Sequence, residues 1–392
     1  MKPLPHKNRA TYYRRVTLRR GAILTLALLL LPLLSSCVSV LSPTGWTPVT
    51  FDGDTAYLTT SKGRISALAM SGDSATAKWT FPDKDNSEDK KLKTRAIYGA
   101  PIIEDDRVYI ATFEGGVFAL DKATGRPTWP NPEEAGEGID GDIAGGLAAS
   151  DDFLFFGTTE GRLYAIKKSD GTPAPGWEKP KSFDGGIWAS PVVSGESVFV
   201  ATMKGEVHAV SVADGSQRWE PFRSDGAIAE LQLLENDLLF APSVNHHTYL
   251  IRTANGELAG EYEADDWVWS TAASNNGRIF FGDFGGTVHG VDITPQVTPA
   301  WEASVEDERV RAGAVVINGV VVVADRKPVV TFFDAANGTV LNRVPILDSG
   351  TVRADLTEKD GSAYVATTSG KLFRAEPDSR RVVEIQLSGV KK

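Results

Sequence analysis

Residues 100–129 read APIIEDDRVYIATFEGGVFALDKATGRPTW, and the same order of features returns at residues 190–219 as SPVVSGESVFVATMKGEVHAVSVADGSQRW. Each stretch has a short apolar segment after a proline, a β-branched segment ending in Ala-Thr, and a third apolar segment introduced by glycine. A turn containing glycine and a final tryptophan complete both copies. Apolar β-branched segments bounded by Gly, Asp and Asn favour short strands joined by tight turns. The repeated stretch therefore predicts a unit of four short strands.

Further copies of this unit can be located by the glycine before the third segment. They lie at Gly63, Gly116, Gly161, Gly205, Gly286 and Gly370, with weaker copies near His247 and Pro328. Most neighbouring copies are 42 to 45 residues apart. Four strands at this period are typical of a propeller blade, because a twisted sheet buries both faces only between two neighbours. We predict an all-β fold, a single eight-bladed β-propeller of four-stranded blades over residues 45–390. The predicted blades span 45–82, 97–130, 142–178, 186–222, 226–263, 267–303, 310–346 and 351–388.

Large rings at the ends of repeats predict the packing between blades. The tryptophans in this position are Trp79, Trp129, Trp177, Trp219 and Trp301. Blades five, seven and eight lack the tryptophan, and Tyr262 is the nearest substitute in blade five. Asp-Gly or Asn-Gly pairs at 170–171, 214–215 and 337–338 predict hairpin turns in which glycine supplies a positive φ. The ring could close by packing of a complete eighth blade on the first, or through an N-terminal strand that completes it.

The N-terminal segment has the features of an export signal. Residues 1–20 carry seven basic side chains and no acidic one, and an apolar run follows from Ala22 to Leu34. This run is too short to span a bilayer, so we expect a signal peptide over residues 1–36. The sequence Leu34-Ser35-Ser36-Cys37 resembles the bacterial lipoprotein processing box, which implies lipidation of Cys37 and a tether at 37–44. Residues 13–18 partly match a twin-arginine signal, and the export route stays open.

The charge balance excludes two classes of partner. Loss of residues 1–36 changes the formal net charge from −10 to −17, because seven basic residues leave with the signal. A body this acidic repels phosphate backbones and anionic headgroups, so nucleic acid and peripheral electrostatic membrane binding are not expected. We expect an extracytoplasmic protein held at a membrane of the cell envelope by its lipid.

The repeat resembles the PQQ-like repeat, named from quinoprotein dehydrogenases. Its best copy is residues 116–125, GVFALDKATG, followed by Trp129. An eight-bladed lipoprotein of this length resembles the BamB family of the outer-membrane β-barrel assembly machinery. This resemblance implies a non-enzymatic scaffold that docks an envelope protein, with a β-barrel assembly component as one option, and that could present edge strands or loops to client chains. The quinoprotein dehydrogenases are the enzymatic alternative. That resemblance would imply a vicinal Cys pair, a calcium ion and a catalytic Asp, but Cys37 is the only cysteine.

The residues just before each first strand are candidates for a site, because these positions meet at one end of a propeller channel. They include three aromatic residues and two arginines: Tyr98, Trp188, Trp269, Arg311 and Arg353. Ala144 and Ile228 take the same position in blades three and five, and Trp46 lies near it in blade one. Such a set could bind an anionic or planar ligand, or a peptide. Alternatively, the rings fill the channel and the arginines pair with acids such as Asp355 or Glu308.

Other polar groups have structural explanations. The acidic pairs at 105–106, 151–152 and 265–266, and the acids at 140 and 142, fit turn positions better than calcium or catalytic sites. His208 and His289 stand where sister repeats have Phe118 and Tyr164, which predicts packing between blades. The irregular stretches 83–93 and 130–146 are partner-binding candidates or solvated linkers. We therefore expect no enzyme activity, cofactor or metal; a quinone- or calcium-dependent oxidoreductase and a sensor of small anions are the alternatives.

Overall fold

The computed structural model describes residues 43–92, 94–130, 138–306, 309–347 and 349–390. The signal peptide predicted for residues 1–36 and the predicted lipidation site Cys37 lie outside the described residues. The described residues belong to one contact unit. Apart from two single-turn 3₁₀ segments, Asp89–Lys91 and Glu235–Asp237, the regular structure of the described residues is entirely β.

The strands follow one another at the spacing that the repeat predicts. In chain order they are β1 (Thr50–Asp52), β2 (Thr55–Thr59), β3 (Ile65–Ser71), β4 (Ser74–Phe81), β5 (Ile102–Glu104), β6 (Arg107–Ala111), β7 (Val117–Asp121), β8 (Ala148–Ala149), β9 (Phe153–Gly157), β10 (Arg162–Lys167), β11 (Lys181–Ser182), β12 (Val192–Ser194), β13 (Ser197–Ala201), β14 (Glu206–Ser211), β15 (Phe222–Arg223), β16 (Gln232–Leu234), β17 (Leu238–Pro242), β18 (His247–Arg252), β19 (Leu258–Glu263), β20 (Ala273–Asn275), β21 (Arg278–Gly282), β22 (Thr287–Asp292), β23 (Thr298–Ser304), β24 (Val315–Ile317), β25 (Val320–Ala324), β26 (Val329–Asp334), β27 (Val340–Pro345), β28 (Thr357–Lys359), β29 (Ser362–Ala366), β30 (Leu372–Glu376) and β31 (Arg381–Ser388).

These strands form eight antiparallel blades, each built from consecutive strands. The blades are β1–β4, β5–β7, β8–β11, β12–β15, β16–β19, β20–β23, β24–β27 and β28–β31. First strands of neighbouring blades contact one another, as β20 contacts β24 and β24 contacts β28, so the first strands lie innermost. The predicted all-β, eight-bladed propeller is confirmed.

Blades two, three and four depart from the predicted four regular strands. Blade two has three strands, and its fourth position is reduced to a bridge between Leu120 and Pro127. Blade three has a bridge between Ile166 and Pro173, and its short fourth strand β11 lies beyond the predicted limit at 178. Blade four shows the same interruption, with a bridge between Val210 and Gln217 before its two-residue fourth strand β15. The interrupted pairing therefore does not depend on a proline at the bridge.

The ring closes through a complete eighth blade, which settles the alternative that the sequence left open. Strand β31 pairs antiparallel with β30 and parallel with β4 of blade one, with Leu387 opposite Ala75. The blade-one residues Val49 and Leu58 pack with Tyr364 and Ile385 of blade eight in one buried cluster. No described N-terminal strand enters blade eight.

The hydrophobic core is divided among the gaps between blades. Each of eight buried clusters draws its residues mainly from two neighbouring blades. Second and third strands supply the largest fully buried rings, among them Phe155, Phe240 and Phe333. Because a blade has no core of its own, stability depends on contact between neighbours, as in other repeat architectures.

The predicted tryptophan packing is observed, and it has a polar component. The indole N–H of each repeat-ending tryptophan donates to a backbone carbonyl of the next blade at 2.9 to 3.1 Å. The acceptors are Lys122 for Trp79, Lys168 for Trp129, Val212 for Trp177, Thr253 for Trp219 and Ala335 for Trp301. Each ring lies against a turn glycine with positive φ in that blade: Gly125, Gly171, Gly215, Gly256 and Gly338 respectively.

Blades without this tryptophan use other side chains. In blade seven, Asn342 occupies the position and donates to the Arg380 carbonyl of blade eight at 2.9 Å. In blade five the position belongs to Gly260, which pairs with Leu250 next to a β-bulge. Tyr262, named from sequence as the nearest substitute, lies two residues further along. Its hydroxyl instead joins a buried polar chain described below.

Candidate functional site

Five side chains meet at one end of the central channel, where the connections between blades enter the first strands. The set, here called the mouth cluster, consists of Trp46, Tyr98, Trp269, Arg311 and Arg353. Backbone alternation positions them: Val310 and Ala312 are buried in the core, whereas Arg311 between them is only half-buried. The same alternation places Arg353 between buried Val352 and Ala354.

Trp46 is the centre of the mouth cluster. The Arg311 guanidinium carbon lies 4.4 Å from the centre of the Trp46 ring, and the Arg353 guanidinium carbon lies 5.1 Å from it. Arg311 also lies over Trp269 at 5.1 Å. The Tyr98 ring meets Trp46 edge-on with centroids 4.6 Å apart. The structure therefore brings four of the five candidates from the sequence together around a tryptophan that the sequence placed only near them.

The fifth candidate, Trp188, makes none of the ring or cation–π contacts that join the mouth cluster. Its side chain is 43% exposed, and it makes no ring or cation–π contact within the described residues. Ile228, which the sequence placed at the same position in blade five, is fully buried among Ala189, Leu239 and Ala241. Its side chain therefore faces the core between blades rather than the channel. The equivalent of the mouth position is Ala229, because the Val244 N–H bonds to Ala227, just as the Arg326 N–H bonds to Arg309 two residues before Arg311.

Within the described residues, neither arginine pairs with Asp355, one of the two acids offered as the alternative. Both carboxylate oxygens of Asp355 are engaged elsewhere, by the Thr271 hydroxyl at 2.6 Å and the Gly313 N–H at 2.5 Å. Glu308 lies outside the described residues. Arg311 Nε is buried without a hydrogen-bond partner in the part of the chain that the structure describes. Burial, together with the neighbouring charge of Arg353, lowers the pKa of Arg311 to about 10.

Acidic groups lie deeper in the channel, one or two residues further along the connections. Glu230 accepts hydrogen bonds from the Ser190 N–H at 2.9 Å and from its neighbour Leu231. Burial raises the pKa of Glu230 to about 8, and the charge of Asp355 acts in the same direction. Burial also raises the pKa of Asp355. Sequence reasoning missed Glu230. The signal that could have indicated it is an acidic residue at a repeat position where blade four has Ser190 and blade two has Ala100.

A buried polar chain joins blades five and six. His289 Nε2 lies 3.0 Å from Asp283 Oδ2, and its Nδ1 lies 3.0 Å from the Tyr262 hydroxyl, which donates to Glu302 at 2.8 Å. His289 and Asp283 are fully buried. Burial and then Glu302 raise the pKa of Tyr262, so its hydroxyl stays a donor. His289 packs against Phe281, as its sequence position predicts, and its polar contacts were not predicted.

Replacement of Tyr262 by phenylalanine is expected to destabilise the protein by about 1–3 kcal/mol, because His289 Nδ1 would lose its buried hydroxyl partner. Urea unfolding followed by circular dichroism measures the change. Tyr364→Phe is the control, since Tyr364 is equally buried but its hydroxyl makes no hydrogen bond within the described residues. Equal losses in both variants would show that the polar chain contributes nothing.

The remaining candidates take up turn and packing roles. Asp105 and Asp151 lie in turns between first and second strands, at the end of the ring opposite the mouth cluster. Asp266 accepts from the Trp267 N–H, and Asp140 pairs with Arg162. The described residues contain no group of three or more His, Cys, Asp or Glu side chains suited to a metal ion.

The irregular stretches are only partly described. Within 83–92, the Asp89 carboxylate accepts the Asp83 N–H and Lys84 donates to the carbonyls of Asp89 and Leu92. Lys93 and residues 131–137, which include Glu133, Glu134 and Glu137, lie outside the described residues.

Comparison with known proteins identifies the family. The model for the family described as "Outer membrane protein assembly factor BamB" matches residues 38–175 and 174–294. The chain belongs to this family. This membership rests on the match between the sequence and the family model. A search of curated proteins finds no match.

Solved structures of other propellers superpose on the chain. BamB from Moraxella catarrhalis gives a TM-score of 0.67 at 18% identity, covering 88% of this chain and 95% of that one. The computationally designed Ika8 protein gives 0.70 at 14% identity, covering 88% and 97%. Quinohemoprotein alcohol dehydrogenase from Comamonas testosteroni gives 0.64 at 14% identity, covering 83% and 71%. At these identities the likeness shows the fold alone.

No helix long and apolar enough to cross a membrane occurs in the residues that the structure describes.

Proposed function

We propose that this protein is a lipid-anchored, non-catalytic scaffold of the cell envelope that binds a protein of the outer-membrane β-barrel assembly machinery. The observation that carries the proposal is the family match to outer membrane protein assembly factor BamB over residues 38–294. Cys37 is the only cysteine of the chain, so the vicinal Cys pair of the quinoprotein alternative is absent. One fold hosts many activities, and the likeness to a dehydrogenase therefore adds no enzymatic role.

The end of the ring that carries the mouth cluster is the proposed docking face. Three large apolar side chains are exposed on its connecting loops: Trp188 at 43%, Trp267 at 44% and Leu347 at 75%. Exposed aromatic side chains on rigid loops are frequent anchors of protein interfaces. This face would therefore present apolar anchors to a folded partner.

Recovery of partners with the native lipoprotein tests the proposal. The wild-type chain, extracted from host membranes with a neutral detergent, is expected to co-purify a β-barrel assembly protein identified by mass spectrometry. The variant Trp188→Ser/Trp267→Ser is expected to lose at least about 80% of that recovery, because each anchor contributes about 1 kcal/mol or more. Leu258→Ser is the control, since Leu258 is 46% exposed on an outer strand.

Two results would contradict the proposal. Recovery without any assembly protein would remove the proposed partner, and equal recovery with the control and the Trp188→Ser/Trp267→Ser variant would remove the proposed face. Cys37→Ser tests the anchor separately, because loss of the lipid should release the chain from the membrane fraction.

A further inference from the structure

The two arginines of the mouth cluster differ from most other half-buried arginines in this chain. Arg278 bonds the Asp292 carboxylate, and Arg374 bonds Asp73 and Glu376. Arg311 and Arg353 form neither an ion pair within 4.0 Å nor a side-chain hydrogen bond with any residue that the structure describes. Placing cations together in a partly buried site without acceptors costs free energy. An anion that accepted hydrogen bonds from both would offset this cost.

The aromatic contacts of Arg311 do not satisfy its hydrogen-bond donors. Trp46 and Trp269 lie on the Arg311 guanidinium at 4.4 and 5.1 Å, and ring faces supply no hydrogen-bond acceptor of the kind that a planar guanidinium prefers. Two N–H groups in one plane match the two oxygens of a carboxylate. The aromatic rings and the Tyr98 hydroxyl border the same space. All five side chains of the mouth cluster are half-buried, which means that solvent reaches them.

We propose that the mouth cluster is a binding site for a small monoanionic carboxylate, held by Arg311 and Arg353 and bordered by Trp46 and Trp269. This ligand site is independent of the docking role proposed above. Asp355 interacts electrostatically with Arg311 from further down the same channel, and its negative charge favours a ligand with a single charge. A dianion such as phosphate would meet more repulsion from Asp355 than a carboxylate does. The tryptophan rings favour a planar apolar body beside the charged group.

Benzoate is a suitable probe, with benzamide as its neutral counterpart of the same shape and inorganic phosphate as the competing anion. The full-length lipoprotein in a neutral detergent is titrated at constant ionic strength, followed by tryptophan fluorescence and calorimetry. Saturable benzoate binding is expected, with benzamide and phosphate each at least about tenfold weaker, since charge-assisted bidentate hydrogen bonds are lost or repulsion is added. Absence of saturation with benzoate, equal binding of benzamide, or tighter binding of phosphate would overturn the proposal.

Matched variants connect the binding to these residues. Arg353→Lys keeps the charge but loses the planar pair of donors, so benzoate affinity is expected to fall about tenfold. Arg326→Gln removes an exposed arginine from a blade-seven loop at the same end of the ring and should leave the affinity unchanged. Thermal unfolding of both variants shows whether the fold is kept; if Arg353→Lys unfolds, Trp269→Leu provides the same test. The proposed site would be refuted if folded Arg353→Lys or Trp269→Leu bound benzoate with wild-type affinity. It would also be refuted if Arg326→Gln lost as much benzoate affinity as these variants.

Discussion

Replacement of Gly256 by alanine is expected to lower the free energy of unfolding by about 2–5 kcal/mol. Gly256 has a φ of +75°, and a Cβ atom there would lie 2.5 Å from the Trp219 ring. Positive φ costs an alanine about 1–2 kcal/mol, and overpacking against a rigid ring costs about 1–3 kcal/mol more. Trp219 cannot move away freely, because its indole N–H is bonded to the Thr253 carbonyl.

Gly361→Ala separates the two costs. Gly361 has a φ of +72°, but no atom lies within 4 Å of the Cβ position. This variant should lose only about 1–2 kcal/mol, the cost of the backbone conformation. Urea unfolding followed by tryptophan fluorescence and by circular dichroism measures both. Equal losses in the two variants would show that tryptophan packing between blades contributes little.

Replacement of Glu230 by glutamine is expected to stabilise the protein increasingly as the pH rises from 5 to 8. The pKa of Glu230 is raised from 4.5 to about 8 in the folded protein, so the folded chain keeps a proton that the unfolded chain releases. The contribution of Glu230 to stability is therefore complete below pH 4.5 and is lost as the pH rises through about 8. Glutamine has no such proton and keeps the amide-accepting oxygen. We expect the stability difference between variant and wild type to grow by about 2–4 kcal/mol across this window.

Glu261→Gln is the control for this pH dependence. Glu261 belongs to the same blade and its side chain is exposed. Its unfolding midpoint should follow that of the wild type at every pH. Thermal unfolding is measured between pH 5 and pH 9. If the midpoint of Glu230→Gln depended on pH as that of the wild type does, the channel would not hold Glu230 protonated.

The sequence predicted much of the architecture because each repeat contains the residues that form one blade. Turn glycines, β-branched segments and the final tryptophans recur at a fixed period, and each is tied to local backbone geometry or to contact with an adjacent blade. Hence the blade count and the tryptophan packing followed from the sequence. The interrupted fourth segments of blades two, three and four were missed, because the bridge positions Pro127, Pro173 and Gln217 have no residue type common to all three. The displacement of Tyr262 was missed because Gly260 takes the tryptophan position in blade five and an aromatic residue follows only two positions later.

The sequence predicted only part of the candidate site. Aligned repeats placed Tyr98, Trp269, Arg311 and Arg353 at one end of the ring, because equal positions in blades face the same direction. Alignment could not show that Trp188 makes none of the contacts that join the mouth cluster, or that Asp355 bonds Thr271 and Gly313 instead of an arginine. It also placed Ile228 at the mouth position, which belongs to Ala229. Glu230 was missed because most of the equivalent positions in the other blades carry no acidic residue that would have drawn attention to it.

The sequence by itself determined the all-β repeat, the number of blades and the end of the ring at which the candidate residues lie, because these depend on local periodicity. Only the tertiary structure decided how the ring closes, which side chains meet around Trp46, and which charges lack a partner. Those outcomes depend on residues from different blades that are distant in sequence. Closure brings β31 beside β4 and places Trp46 of blade one against Arg353 of blade eight, and no local pattern encodes such contacts.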